Sequence, residues 1–252
     1  MSVPDRFRYL VASDWSECLS PNGPFDALIH TWPELKPDLT KIFSAYTSNE
    51  ISLSSAVENI KALLPGELSV ESMDAFLEEK FAAYANLSGL IQRCLEHGIA
   101  FMINSTGPIG YFQRALASGF VPGIHLLSAH PFLRYPPSET DPDHVFELFE
   151  IEDKGKNTQT ALNALGIPPH RTAVVGDSGG DGPHFAWAAE NGALRIGVNP
   201  KASLEHYCAE RGIEIQARVG PAYLQGQPRD PEAEARTDLN EVLDILLREL
   251  PT

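Results

Sequence analysis

The sequence predicts an α/β protein: a parallel sheet with helices on both faces, interrupted once by an all-helical segment. Three observations predict it. Short apolar runs of β-rich composition recur along the chain, the clearest being TAVVG at Thr172–Gly176, followed at once by a Gly/Asp/Ser turn. Stretches of helical period separate these runs, and strands alternating with helices of that length build parallel sheets covered on both sides. Residues 21–97 break the alternation, because they hold helical patterns and no convincing strand.

In chain order, residues 7–13 read as the first strand. SSAVENIKALL and the run from Ser69 to Gly98 then read as amphipathic helices, with Ser52 and Ser54 as candidate N-caps. Ser69 and Ser72 make no capping box. A crossover between parallel strands needs only a dozen or so residues. Residues 21–97 are therefore expected to be an inserted helical domain, and 1–20 with 98–252 the α/β core. GIAFMIN, residues 98–104, reads as the second strand, with a helix at 107–118. His125–Ala129 and Val145–Ile151 are weaker strand candidates. A helix at 154–165, the strand at 172–176, a helix at 183–191, the strand Leu194–Val198 and a helix at 201–210 follow. Residues 220–232 read as a surface loop before a last helix at 233–249. Its apolar positions Leu239, Val242, Leu243, Ile245 and Leu246 face either the core or a second subunit, so the oligomeric state stays open.

Composition excludes several classes of partner. The chain has 252 residues, 43% of them hydrophobic, enough for a sizeable core. Its 34 acidic and 19 basic residues give a formal net charge of -15. Without a Lys/Arg cluster to offset that charge, a nucleic-acid backbone or an anionic membrane surface is repelled. No stretch reaches the roughly 18 apolar residues a membrane helix needs, and the N-terminus has no apolar run of signal length. Cys18, Cys94 and Cys208 are odd in number, far apart and form no CxxC pair. No disulfide scaffold follows, and a cytoplasmic location is expected.

Four polar pieces stand at element ends: Asp14 after the first strand, Ser105 and Thr106 after the second, Lys154 at a helix start, and Asp177 with Asp181 in the turn after Thr172–Gly176. The carboxyl ends of parallel strands share one edge of the sheet, and ligands bind there where the strand order reverses. A carboxylate at that edge can attack phosphorus. A hard cation such as Mg²⁺ would let two anions approach. A lysine and a hydroxyl would hold phosphoryl oxygens, and placement with charge is most of such catalysis.

These pieces resemble the haloacid dehalogenase-like hydrolase superfamily. ASDWSECL matches its first motif through Asp14. FMINST matches the second, with Thr106 favoured over Ser105, and DKGK matches the third through Lys154 rather than Lys156. GDSGGD, residues 176–181, matches the acidic fourth motif almost letter for letter. The resemblance implies a Rossmann-like core with a helical cap of the first insertion type. It also implies Asp14 as nucleophile, and Mg²⁺ held by Asp14, the Ser16 backbone carbonyl, Asp177 and Asp181. The substrate would be a small phosphorylated metabolite.

The first motif departs from the pattern. The family's phosphatases carry a second Asp two residues after the nucleophile as general acid and base, and here that residue is Ser16. Glu17 and Cys18 replace the usual Gly and Thr. General acid–base help is worth about 10²–10⁴ in rate. The leading expectation is a Mg²⁺-dependent phosphatase with an altered acid, with Ser16, Glu17 and Ser105 as auxiliary candidates. One alternative is a weak or inactive phospho-ligand binding protein. Another is a phosphonate or other C–X hydrolase on the same scaffold: the resemblance implies a cap lysine as Schiff base for the phosphonate branch, with Lys36, Lys41, Lys61 and Lys80 in the cap region, whereas the dehalogenating branch also lacks the second Asp but carries an aromatic residue where this chain has Ser16. His184, three residues past Asp181, reads as a solvated or helix-capping histidine. Trp32, Phe25 and Met73 line either a cleft or a core.

Overall fold

The computed structural model describes residues 7–47 and 50–250. Seven strands form one all-parallel sheet: β1 (Tyr9–Ser13), β2 (Ile99–Pro108), β3 (Leu126–His130), β4 (His144–Glu147), β5 (Thr172–Gly176), β6 (Leu194–Val198) and β7 (Ala217–Val219), in the order β4-β3-β2-β1-β5-β6-β7. From β1 the chain steps outward through β2, β3 and β4, then returns to the other side of β1 with β5. The order therefore reverses between β1 and β5, where a crevice opens at the carboxyl edge. β1 and β5 are buried along their whole length. Strands covered on both faces read as continuous apolar runs rather than alternating ones.

The helices of the α/β layers are α5 (Leu87–Glu96), α6 (Ile109–Ala117), α7 (Asp153–Leu165), α8 (Gly182–Glu190), α9 (Ala202–Glu210), the short α10 (Pro231–Glu234) and α11 (Asn240–Glu249). Helix α5 packs on β2 and α11. Helices α1 (Asp26–Thr31), α2 (Lys36–Thr47), α3 (Leu53–Leu63) and α4 (Val70–Lys80) lie in the 21–97 segment. Ser52 caps α3 and Ser69 caps α4, each hydroxyl accepting from the backbone N–H three residues on. The run from Ser69 to Gly98 is thus two helices, separated by residues 81–86. Hydrogen bonds and ion pairs tie this segment to the rest. Glu150 accepts from the N–H groups of Leu53 and Ser54 at 3.0 and 3.2 Å. Arg114 makes a two-pronged bond to Asp74 at 2.7 and 2.8 Å.

The structure differs from the sequence expectation at the C-terminal third. The helix expected at 233–249 is two helices with a break at residues 235–239, where the Thr237 hydroxyl donates to Asn199 Oδ1 at 2.8 Å. Leu239, Val242, Leu243, Ile245 and Leu246 all join the main core and pack inward on this chain. The three-residue strand β7 was too short to register as an apolar run. β2 runs past Asn104 to Pro108, with an irregularity in its pairing to β3 between those residues. The expected strand at 145–151 ends at Glu147.

Candidate active site

Asp14 leaves the end of β1, and its N–H donates to the Val175 carbonyl of β5 at 2.9 Å. Trp15, fully buried, anchors the turn behind it, packed edge-on against Tyr111 and Phe112 with ring centroids 6.0 and 5.5 Å away. Such aromatic pairs contribute about 0.5–1.5 kcal/mol beyond area burial. Glu17 takes the left-handed backbone conformation at φ 59°, where glycine is the residue of least strain. Its carboxylate pairs with Lys201 and Arg229, and Arg229 also binds Glu234. Burial pushes the Glu17 carboxyl up, but Lys201 and Arg229 outweigh it and hold the group below its ordinary value.

Lys154 is the hinge of the site. It is 2% exposed, and its Nζ donates to Asp14 Oδ1 at 2.9 Å and to Asp181 Oδ1 at 2.6 Å. Burial opposes its charge, yet the two carboxylates raise its pKa above the usual lysine value. The other Asp181 oxygen accepts from the N–H groups of Asp177 and Ser178 at 3.0 and 3.2 Å. Both Asp181 oxygens are therefore engaged. Burial is outweighed by Lys154 and these two donors, and the Asp181 carboxyl sits below its ordinary range. Gly176 permits the approach: a Cβ there would lie 2.6 Å from Asp181 Cγ.

Asp177, 1% exposed, faces Lys201, with Nζ to Oδ2 at 2.8 Å, while the Lys201 N–H donates to the Asp177 carbonyl at 2.7 Å. Burial dominates here, reinforced by Asp181 and Asp14, and pushes the Asp177 carboxyl up to about 8. Asp14 rises to about 6, from burial first and the Asp181 charge second, against the pull of Lys154. One carboxylate oxygen each of Asp14, Asp177 and Asp181 lies within 4.8 Å of the others. Burial, reinforced by their mutual repulsion, makes two of these carboxyls hold protons more tightly than free ones. A hard divalent cation with oxygen ligands fits that donor set.

Thr106 lines a cavity of about 430 Å³ together with Asp14, Ser16, Lys154, Asp177 and Lys201. Ser105 is buried instead, its Oγ accepting from the Gly107 N–H at 3.1 Å. Ser16 and Glu17 both border the cavity. His184 is not solvated: it is 1% exposed, its Nε2 is 2.9 Å from the Thr158 hydroxyl, and burial lowers its pKa to about 3. The Thr158 hydroxyl in turn donates to the Lys154 carbonyl, and the Asn104 amide donates to both. This buried group fixes the first turn of α7 and hence the stem of Lys154.

Two residues of the site escaped the sequence reading. Lys201 follows β6, the neighbour of β5, and the strand-end rule that found Asp177 would have found it. Tyr46 of α2 reaches the cavity and hydrogen-bonds the Thr106 side chain, and burial pushes its phenol up to about 12. Nothing in the period of α2 marks Tyr46 out. Met73 belongs to the core and Trp32 packs against it, whereas Phe25 lines the cavity. All three cysteines are free and buried.

No family model matches the sequence, and no curated protein matches it. The fold does have counterparts among solved structures. A phosphoserine phosphatase captured as a phospho-aspartyl intermediate analogue superposes with TM-score 0.66 at 16% identity, over 95% of this chain and 99% of that one. A substrate-bound phosphoserine phosphatase gives 0.64 at 15% identity, over 94% and 98%. A HAD family hydrolase from Salmonella enterica gives 0.62 at 13%, over 79% and 65%. The chain has the haloacid dehalogenase-like fold. β1 is the central strand with β5 beside it, and Asp14 and Asp177 stand on either side of the point where the strand order reverses. Among the described residues no helix is long and apolar enough to cross a membrane.

Proposed function

We propose that this haloacid dehalogenase-like protein hydrolyses a small phosphate monoester through an aspartyl-phosphate on Asp14, with helices α1–α4 acting as a cap over the site, whereas α5, at the end of the 21–97 segment, belongs to the core layers. The observation that carries the reading is the Lys154 ammonium held between Asp14 and Asp181 at the floor of the cavity. Asp14 is the nucleophile: Lys154 occupies Oδ1 and leaves Oδ2 to face phosphorus. Lys154 also offsets charge on a phosphoryl oxygen, and the Thr106 hydroxyl, steadied by Tyr46, donates to another. Asp14, the Ser16 carbonyl and Asp177 would hold Mg²⁺, whose chemistry would be to neutralise the phosphoryl oxygens so that the carboxylate can approach. With both its oxygens engaged, Asp181 serves by fixing Lys154 and the 177–178 turn.

Ser16 brings no acid to the leaving oxygen, and Glu17 is locked to Lys201 and Arg229. The protein is accordingly expected to favour esters with good leaving groups. Among the described residues no cap lysine lines the cavity, which leaves a Schiff-base phosphonate reaction without a nucleophile there. The test is phosphate release from a panel of phosphomonoesters and acetyl phosphate, with and without Mg²⁺, for the native protein, Asp14→Asn and Ser16→Asp. Metal-dependent turnover, lost in Asp14→Asn and raised about 10²–10⁴-fold for poor leaving groups in Ser16→Asp, is the expected result. Silence from native protein and Ser16→Asp alike, with folding intact, would overturn the reading in favour of a non-hydrolytic phospho-ligand binder.

A further inference from the structure

The cavity has two unlike halves. Its floor is polar and built from strand ends: Asp14, Lys154, Asp177, Ser178 and Lys201. Its roof comes from the 21–97 segment, where Phe25, Phe43, Leu53, Val57 and Ile60 supply apolar lining, with the hydroxyls of Tyr46 and Thr47 as the uncharged polar groups beside them. Phe25 and Phe43 stack at a tilt with centroids 5.3 Å apart. Among the described residues no lysine or arginine of that segment reaches the cavity. Lys61, on the same helix as Ile60, instead lies over the Phe132 ring at 5.7 Å.

Both cations on the floor are already committed. Lys154 serves Asp14 and Asp181, and Lys201 serves Asp177 and Glu17. A substrate bearing a carboxylate beyond its phosphate would bring that charge against an apolar roof with no free cation. The one acidic group on the roof, Asp26, accepts from the Gly23 N–H at 3.0 Å and would repel it further. Removing a carboxylate from water without a partner is costly. A hydrocarbon group gains there about fourfold in affinity for each methylene buried.

We infer that the cavity selects phosphate esters of an uncharged, apolar organic group, aryl or branched alkyl, and rejects phosphorylated amino acids. The inference rests on the phosphate-binding reading above and names the substrate class of that same site. It separates this chain from the phosphoserine phosphatases whose fold it shares.

Isothermal titration of the full chain in Mg²⁺ buffer tests it with ligands that need no turnover: inorganic phosphate, methylphosphonate, benzylphosphonate, 2-amino-4-phosphonobutanoate and a trimethylammonioethyl phosphonate. Benzylphosphonate is expected to bind at least about tenfold more tightly than methylphosphonate, and the amino-acid analogue no more tightly than methylphosphonate. Phe43→Ala, checked for folding by circular dichroism, is expected to cut the benzyl preference at least about fivefold. Equal binding of the benzyl and methyl compounds, or tighter binding of either charged analogue, overturns the inference while the phosphate reading stands. If neither inorganic phosphate nor any phosphonate binds, the phosphate reading falls and takes this one with it.

Discussion

Replacing the proposed nucleophile should make the protein more stable. Asp14 is 8% exposed and shares a buried pocket with Asp177 and Asp181. Its carboxyl is pushed from an ordinary 3.8 to about 6, by burial first and by the Asp181 charge second. A carboxyl whose folded pKa is raised weakens the fold as pH rises. Below about 3.8 both folded and unfolded chains keep the proton. Between 3.8 and about 6 the unfolded chain ionises first, and above 6 the full cost is present. That cost is about 1 kcal/mol at pH 4.5 and about 3 kcal/mol at pH 7.5. In Asp14→Asn the amide oxygen still accepts from Lys154 and carries no charge. Without divalent cations the variant should therefore gain up to about 3 kcal/mol at pH 7.5 and about 1 kcal/mol at pH 4.5. For a chain of this size the larger figure is about 5–10 °C in Tm. Urea denaturation in EDTA at the two pH values measures both, and added Mg²⁺ should stabilise the native protein more than the variant. A variant no more stable than the native protein at pH 7.5, or a difference that ignores pH, would refute the electrostatic account of the site.

The neighbouring groups give three further expectations. Lys154→Met leaves Asp14 and Asp181 facing each other without their shared cation, so it should cost about 3–5 kcal/mol in urea denaturation at pH 7 and abolish phosphate release. Gly176→Ala puts a Cβ 2.6 Å from Asp181 Cγ. It should destabilise by about 1–3 kcal/mol and slow turnover by displacing Asp181 from Lys154, whereas a native-like rate would show that the approach is not needed. His130 accepts from the Phe132 N–H at 2.9 Å, and burial first and Lys61 second lower its pKa to about 4. The unfolded chain binds that proton near 6.5 and the folded one near 4, so stability should fall as pH drops through that window. His130→Asn, which keeps an acceptor, should flatten the fall measured by thermal melts.

Much of this protein is written locally. Tyr9–Ser13 and Thr172–Gly176 are legible because strands buried on both faces read as near-continuous apolar runs, and Leu194–Val198 keeps that pattern except at half-buried Arg195. Asp14, Thr106, Lys154, Asp177 and Asp181 are legible because parallel strands deliver their carboxyl ends to one edge, so position in the sequence implies position in the site. Turn chemistry carries GDSGGD, whose glycine at 176 leaves room for the aspartate four residues on.

What the tertiary structure alone decided is which groups meet across long separations. That Glu17 is held by Lys201 and Arg229, and so is no substitute acid, depends on chain segments nearly the whole length apart. That the Ser105 hydroxyl is turned inward to accept from the Gly107 N–H is likewise a matter of packing. His184 reads as a surface histidine because burial is a property of the packed α7–α8 layer, not of its neighbours in sequence. An amphipathic helix shows which residues turn inward but not whether they meet a core or a cavity. Met73 and Phe43 look alike in sequence, and only packing gives the first to the core and the second to the roof of the site.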